Sequence, residues 1–153
     1  MFQIVYEGEF AMTVYNAELK DFDAIFSLLE QLWPGRKLDK NAQEGVYRTM
    51  LSAKGEYSLC ARAGGDIAGF CAFSLMNSYF HEGPIFYISI LVVDEKHRRQ
   101  GIGKALIDHV RDFAAQEGIK AIELDSAFHR KGAHAFYESL GFEKDCYRFV
   151  AAL

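Results

Sequence analysis

Basic residues and glycines crowd together in "HRRQGIGKAL", residues 97–106. His97, Arg98, Arg99 and Lys104 bring positive charge, Gly101 and Gly103 bring no side chain, and Gln100 sits among them. From Ile102 onward the apolar residues Ile102, Leu106, Val110 and Phe113 recur at helical spacing. Glycines at a helix start let an anion approach the unbonded backbone N–H groups there, and the helix dipole favours negative charge at the same place. The stretch therefore reads as a seat for a phosphate-bearing ligand, with a solvated basic loop as the alternative. Two nucleotide motifs fail the residues. A Walker loop requires glycine where Arg98 stands and Ser or Thr where Ala105 stands. A dinucleotide fingerprint requires a third glycine where Leu106 stands.

The elements that must hold this stretch are legible on both sides of it. Ahead of it "IFYISILVV", residues 85–93, is almost unbroken apolar and β-rich, as expected of a central strand covered on both faces. Gly118 sits where the following helix should stop. Further upstream, "AMTVYNAEL" reads as a short strand. A helix then starts at Asp21, carries Ile25, Leu28, Leu29 and Leu32, and ends at "WPG". Residues 39–53 read as a second helix with Val46, Met50 and Leu51 on one side, although Gly45 weakens it. "EYSLCARAGGDIAGFCAFSLM" reads as two strands joined in a tight turn at Gly64 and Gly65. Downstream, "KAIELD" resumes strand character, "KGAHAFYESL" is a short helix closed by Gly141, and "YRFVAAL" is a final strand.

Composition bounds the function classes. A chain of 153 residues, half of them apolar, buries a core without staples and reads as one domain. Seventeen Lys and Arg against 21 Asp and Glu leave a net charge of −4, with no basic tail, which argues against nucleic-acid or anionic-membrane binding. Cys60, Cys71 and Cys146 are odd in number and lie in apolar runs, so they read as reduced thiols of a cytoplasmic protein. No stretch has the length of a membrane span or the charge pattern of a secretory leader.

Arg98, Gly101 and Gly103 also spell R-x-x-G-x-G, and "AHAFYESLGFE", residues 133–143, follows further on. Together these resemble the signatures of the GNAT superfamily of acyl-CoA-dependent N-acetyltransferases, and the resemblance runs from about residue 12 to the end. It implies an α+β (α/β mixed) fold: a central mixed, mostly antiparallel sheet whose fourth and fifth family strands splay apart, flanked by about four helices. It implies a single N-acetyltransferase domain over residues 1–153, with residues 1–11 an added strand or a disordered extension. Acetyl-CoA is the implied co-substrate. Its diphosphate lies on the amides of Arg98, Arg99, Gln100, Gly101, Ile102, Gly103 and Lys104, and its pantetheine arm lies along Leu91, Val92 and Val93. Tyr137 matches the family tyrosine that protonates the departing thiolate. Ala133 and Phe136 lie on the face near the cofactor, and Arg130, standing where the family often has Asn, is a cation that reaches the cofactor or else faces solvent.

One part of the family pattern is missing. A carboxylate pair common in the cofactor strand is replaced by Ser89 and Ile90, so the general base is sought elsewhere, at Glu82, at Asp125, or through a water chain. His129 and His134 with Asp125 fit no zinc spacing, and acyl transfer requires no metal. Trp33, Tyr79, Phe80 and Glu82 would suit a cationic amine, and could equally cover the core or form a homodimer contact. The expected activity is acetyl transfer to a primary amine, with a small-molecule acceptor favoured. Alternatives are a peptide or protein amine, and a non-catalytic acyl-CoA sensor motivated by the missing carboxylates.

Overall fold

The computed structural model of the chain describes residues 3–7 and 11–153. The chain falls into two compact units, Met1–Glu123 and Leu124–Leu153. In chain order the elements are β1 (Ile4–Tyr6), β2 (Met12–Asn16), α1 (Phe22–Leu32), α2 (Lys40–Ser52), β3 (Glu56–Ala63), β4 (Asp66–Ser78), β5 (Gly83–Val93), α3 (Ile102–Gln116), β6 (Ile122–Leu124) and α4 (Lys131–Ser139). The strands form one six-stranded sheet in sequential order. The pairs from β1 to β5 are all antiparallel. This is the mixed α+β, mostly antiparallel arrangement with four α-helices that the sequence motifs imply.

Alternation along the strands sends side chains to two separate layers. On one face Cys60, Phe70, Ala72 and Val92 pack with Phe22, Ile25, Leu28 and Leu29 of α1 and Tyr47 of α2. On the other, Tyr57, Phe73 and Phe86 meet Phe113 of α3. The ring centroids are 5.0 Å apart for Tyr57 and Phe73, 5.0 Å for Phe73 and Phe86, and 5.3 Å for Phe86 and Phe113. The hairpin between β3 and β4 turns on Gly64 and Gly65 with φ of 58° and 92°, the double positive φ that only a glycine pair adopts freely.

The helix ends follow from local chemistry. α1 begins after Asp21, a buried carboxylate whose Oδ2 accepts from the Glu18 N–H at 2.9 Å. Helix α2 begins at Asp39, whose Oδ1 accepts from the Ala42 N–H at 3.0 Å, a side-chain N-cap. Gly45 is accommodated in its interior. Helix α3 ends before Gly118, which takes φ of 66°.

At the chain ends one expected alternative is met and one expectation fails. Ile4–Tyr6 is a strand paired with β2, while residues 1–2 and 8–10 of the expected extension lie outside the described residues. "YRFVAAL" forms no strand. Tyr147, Phe149, Val150 and Leu153 are exposed, and the side chains seen to hold this end are Arg148, paired with Asp125 at 3.2 Å, and Tyr147 against Phe128. β-propensity measures fit to a paired, half-buried surface, and without a ladder partner the segment stays irregular.

Candidate active site

Strand β5 carries the site because it is pinned by β4 along its whole length and then delivers the chain to the glycine loop. The pairing is interrupted once: Ala72 faces Ile90 but Phe73 faces Ile88, so Ser89 is an extra, bulged residue. Its side chain is exposed, and its hydroxyl donates to the Ala72 carbonyl at 3.2 Å. Ile90 packs on the α1 side of the core. Of the donor-site residues on this strand, Val92 is buried with its side chain in the core, while Leu91 and Val93 are half-buried. β6 is much shorter. The Lys120 N–H donates to the Pro84 carbonyl and the Phe86 N–H to that of Ala121, so β6 starts beside the early part of β5. It stops after three residues, well before β5 reaches Val93.

After Val93 the chain is anchored at Asp94. The Asp94 N–H donates to the Ala68 carbonyl at 2.8 Å. Its carboxylate accepts from Gln31 Nε2 at 2.8 Å and lies 2.7 Å from His97 Nδ1. Burial alone would raise the Asp94 carboxyl. The hydrogen bonds from Gln31 and His97, with the positive charges of His97 and Lys96, outweigh it and hold the group below the usual carboxylate range.

Beyond a single 3-10 turn at Glu95–His97, Arg99 takes φ of 65° and Gly101 takes φ of 80°. For Arg99 the left-handed conformation costs about 1–3 kcal/mol, a strain the surrounding bonds must hold. For Gly101 it costs little, and the space where a Cβ would lie is open.

Helix α3 then starts, and its first backbone bond is from the Ala105 N–H to the Gly101 carbonyl at 2.9 Å. Among the described residues, none of the backbone N–H groups from Arg98 to Lys104 donates to a protein acceptor. Arg98 and Arg99 are exposed beside this row. Lys104 is ion-paired with Asp108 one turn along the helix. Ile102, predicted to contact the ligand, is 1 % exposed with its side chain in the core, so its backbone N–H is what it offers. Unbonded amides at a helix N-terminus with flanking guanidinium groups fit the diphosphate of coenzyme A.

The second unit holds four more of the predicted residues, on or just ahead of one short helix. Arg130 is the N-cap of α4, and its N–H donates to the Ala127 carbonyl at 2.9 Å. Ala133, Phe136 and Tyr137 are half-buried on that helix. The Tyr137 ring lies 5.3 Å from Phe136 and 5.8 Å from Phe142, measured between centroids. His134 Nε2 lies 3.0 Å from the Ala127 carbonyl. Asp125 is engaged by Arg148. No group of three His, Cys, Asp or Glu suited to a metal ion occurs among the described residues.

The aromatic residues expected to shape the acceptor site differ in burial. Trp33 is half-buried and packs on the core cluster formed by α1, α2 and one face of the sheet. Tyr79, Phe80 and Glu82 sit at the tip of the β4–β5 hairpin, and Glu82 has φ of 54°. Tyr79 and Phe80 are almost fully exposed.

The sequence model of the Acetyltransferase (GNAT) family matches residues 22–142, most of the chain and all of the loop and α4 just described. The chain belongs to that family. Membership makes it an acyl-CoA-dependent N-acetyltransferase by family. The ribosomal protein bS18-alanine N-acetyltransferase of Escherichia coli (strain K12) is 25% identical over 136 residues, covering 86% of this chain and 81% of that protein. Aminoglycoside N(6')-acetyltransferase type 1 of Stenotrophomonas maltophilia is 26% identical over 137 residues, covering 88% of each. Among solved structures, aminoglycoside N-acetyltransferase AAC(6')-Iy in complex with CoA superimposes with a TM-score of 0.82 at 22% identity. That match covers 98% of this chain and 99% of the other, and it shows a shared fold.

The sequence did not disclose the bulge at Ser89 or the Gln31 contact to Asp94. A break in alternation is invisible inside "IFYISILVV", where both faces are apolar. Gln31 and Asp94 are 63 residues apart, and no local pattern links them.

Proposed function

We propose that this chain moves an acetyl group from acetyl-CoA to the primary amine of a small molecule by direct attack in a ternary complex. Residues 1–153 work in that reading as one N-acetyltransferase domain. The observation that carries it is the unbonded amide row from Arg98 to Lys104 at the N-terminus of α3. When bound, acetyl-CoA supplies an activated thioester. The chain's part is to hold the diphosphate on those amides with Arg98 and Arg99, and to align the pantetheine arm against Leu91, Val92 and Val93. Tyr137 Oη then donates the proton that the leaving sulfur requires. Proton removal from the amine falls to Glu82, to Asp125 or to a water chain. The buried thiols of Cys60 and Cys71 accord with a cytoplasmic setting.

A small acceptor is supported by the Stenotrophomonas relative, an aminoglycoside acetyltransferase aligned over nearly its whole length. The Escherichia coli relative, named for a ribosomal protein's alanine, supports a peptide amine as the second reading. Incubating purified protein with acetyl-CoA and a panel of polyamines, aminoglycosides, other small amines and peptides, and following released thiol, separates the readings. Turnover on a small amine at least tenfold above the best peptide is expected. Turnover confined to peptides favours the second reading, and tight donor binding with no thiol release would leave a sensor module.

A further inference from the structure

We infer that Gln31 is a positioning residue for the donor-binding loop, tying α1 to the chain just ahead of the amide row. This rests on the function proposed above. Gln31 uses both ends of its amide. Nε2 donates to Asp94 Oδ1 at 2.8 Å, and Oε1 accepts from the Glu95 N–H at 3.0 Å. The chemistry fixes the amide's orientation, because the flipped form would set an oxygen against the carboxylate and an NH2 against an N–H.

The two anchored residues lead directly into the loop. Asp94 Oδ2 takes His97 Nδ1 at 2.7 Å, and the His97 N–H returns to the Asp94 carbonyl at 2.9 Å, so one carboxylate organises the 3-10 turn. Arg99 follows in its left-handed conformation, and then the helix start. On the other side, α1 is a firm support, since Phe22, Ile25, Leu28 and Leu29 are all buried. Gln31 itself is half-buried and lies outside that apolar stripe. A helix-facing amide that spends both hydrogen-bonding ends on a loop fixes the loop's placement relative to the helix.

The consequence is a split between donor and acceptor parameters. Gln31→Met keeps the side chain's length and removes both bonds. One of these is to a charged group, so coenzyme A affinity and the KM for acetyl-CoA should weaken roughly three- to thirtyfold. The kcat at saturating donor should stay within about twofold. Gln31→Glu places two carboxylates in contact and should weaken the donor further. Combining it with Asp94→Asn reverses donor and acceptor across the same contact and should recover most of the loss.

Calorimetric titration with coenzyme A, alongside steady-state kinetics, reads all four proteins. Unchanged coenzyme A affinity in Gln31→Met overturns the inference, as does failure of the exchanged pair to improve on Gln31→Glu. If Gln31→Met does not fold, the Gln31→Glu and exchanged-pair comparison decides alone. A wild-type protein that binds no coenzyme A would instead overturn the function proposed above, a result distinct from either.

Discussion

Gly69 on β4 lies against the first turn of α3 more closely than any side chain would allow. A Cβ built there falls 2.8 Å from Ile102 Cγ2, 3.1 Å from Leu106 Cδ1 and 3.4 Å from the Val92 carbonyl. Ordinary contact begins near 3.4 Å, so the Ile102 methyl must retreat by the difference, 3.4 − 2.8 = 0.6 Å. Ile102 is β-branched and 1 % exposed, and Leu106 is wholly buried, so neither can turn aside and the helix start must move. Gly69→Ala should therefore cost about 1–3 kcal/mol, the usual range for overpacking a tight core. Because the amides from Arg98 to Lys104 sit on that same helix start, coenzyme A affinity should fall with it. Urea unfolding of Gly69→Ala, Ile102→Ala and the double variant completes a mutant cycle. Ile102→Ala alone removes the obstructing methyl and costs about 2–5 kcal/mol through the cavity it leaves. The double variant should be more stable than the sum of the two losses by at least about 1 kcal/mol, since the new methyl fills part of that cavity. Strict additivity, or a Gly69→Ala protein as stable as wild type, would refute the packing argument.

Tyr137→Phe should leave coenzyme A affinity unchanged and lower kcat by roughly 10²- to 10⁴-fold, measured by thiol release; equal turnover removes Tyr137 from the chemistry. His109 supplies a pH prediction. It is 3 % exposed, and among the described residues its Nδ1 has no partner. Burial holds it below the usual histidine range, and Asp112 opposes this only in part. The folded state thus binds fewer protons than the unfolded chain. The stability this group contributes is complete above the ordinary histidine pKa, and it is lost as pH falls through that value toward the folded one. Urea midpoints between pH 7.5 and 5 should drop in wild type and drop less in His109→Gln; parallel curves would exclude His109 as a source.

Much of this was readable from residue types because local chemistry decided it. Gly64 and Gly65 permit the double positive φ of the β3–β4 turn, and Gly101 permits the left-handed step into α3. The apolar spacing from Ile102 to Phe113 became the buried side of α3. What escaped was decided by partners distant in sequence. Gln31 meets Asp94 only after α1 packs on the sheet, and the bulge at Ser89 is a property of the β4–β5 register. "YRFVAAL" has the composition of a strand, but a strand requires a ladder, and here Phe149 and Val150 are left exposed. Trp33 and Tyr79 are both aromatic near short loops, and nothing in their types tells that the first packs on the core while the second stands exposed.

In the proposed function the amides from Arg98 to Lys104 receive the donor's diphosphate. Titrating isotope-labelled protein with coenzyme A and following backbone amide resonances tests it most directly. Saturable shifts are expected to be largest from Arg98 to Lys104, with ATP a much weaker competitor than coenzyme A. Saturable binding that leaves those amides unmoved would contradict it.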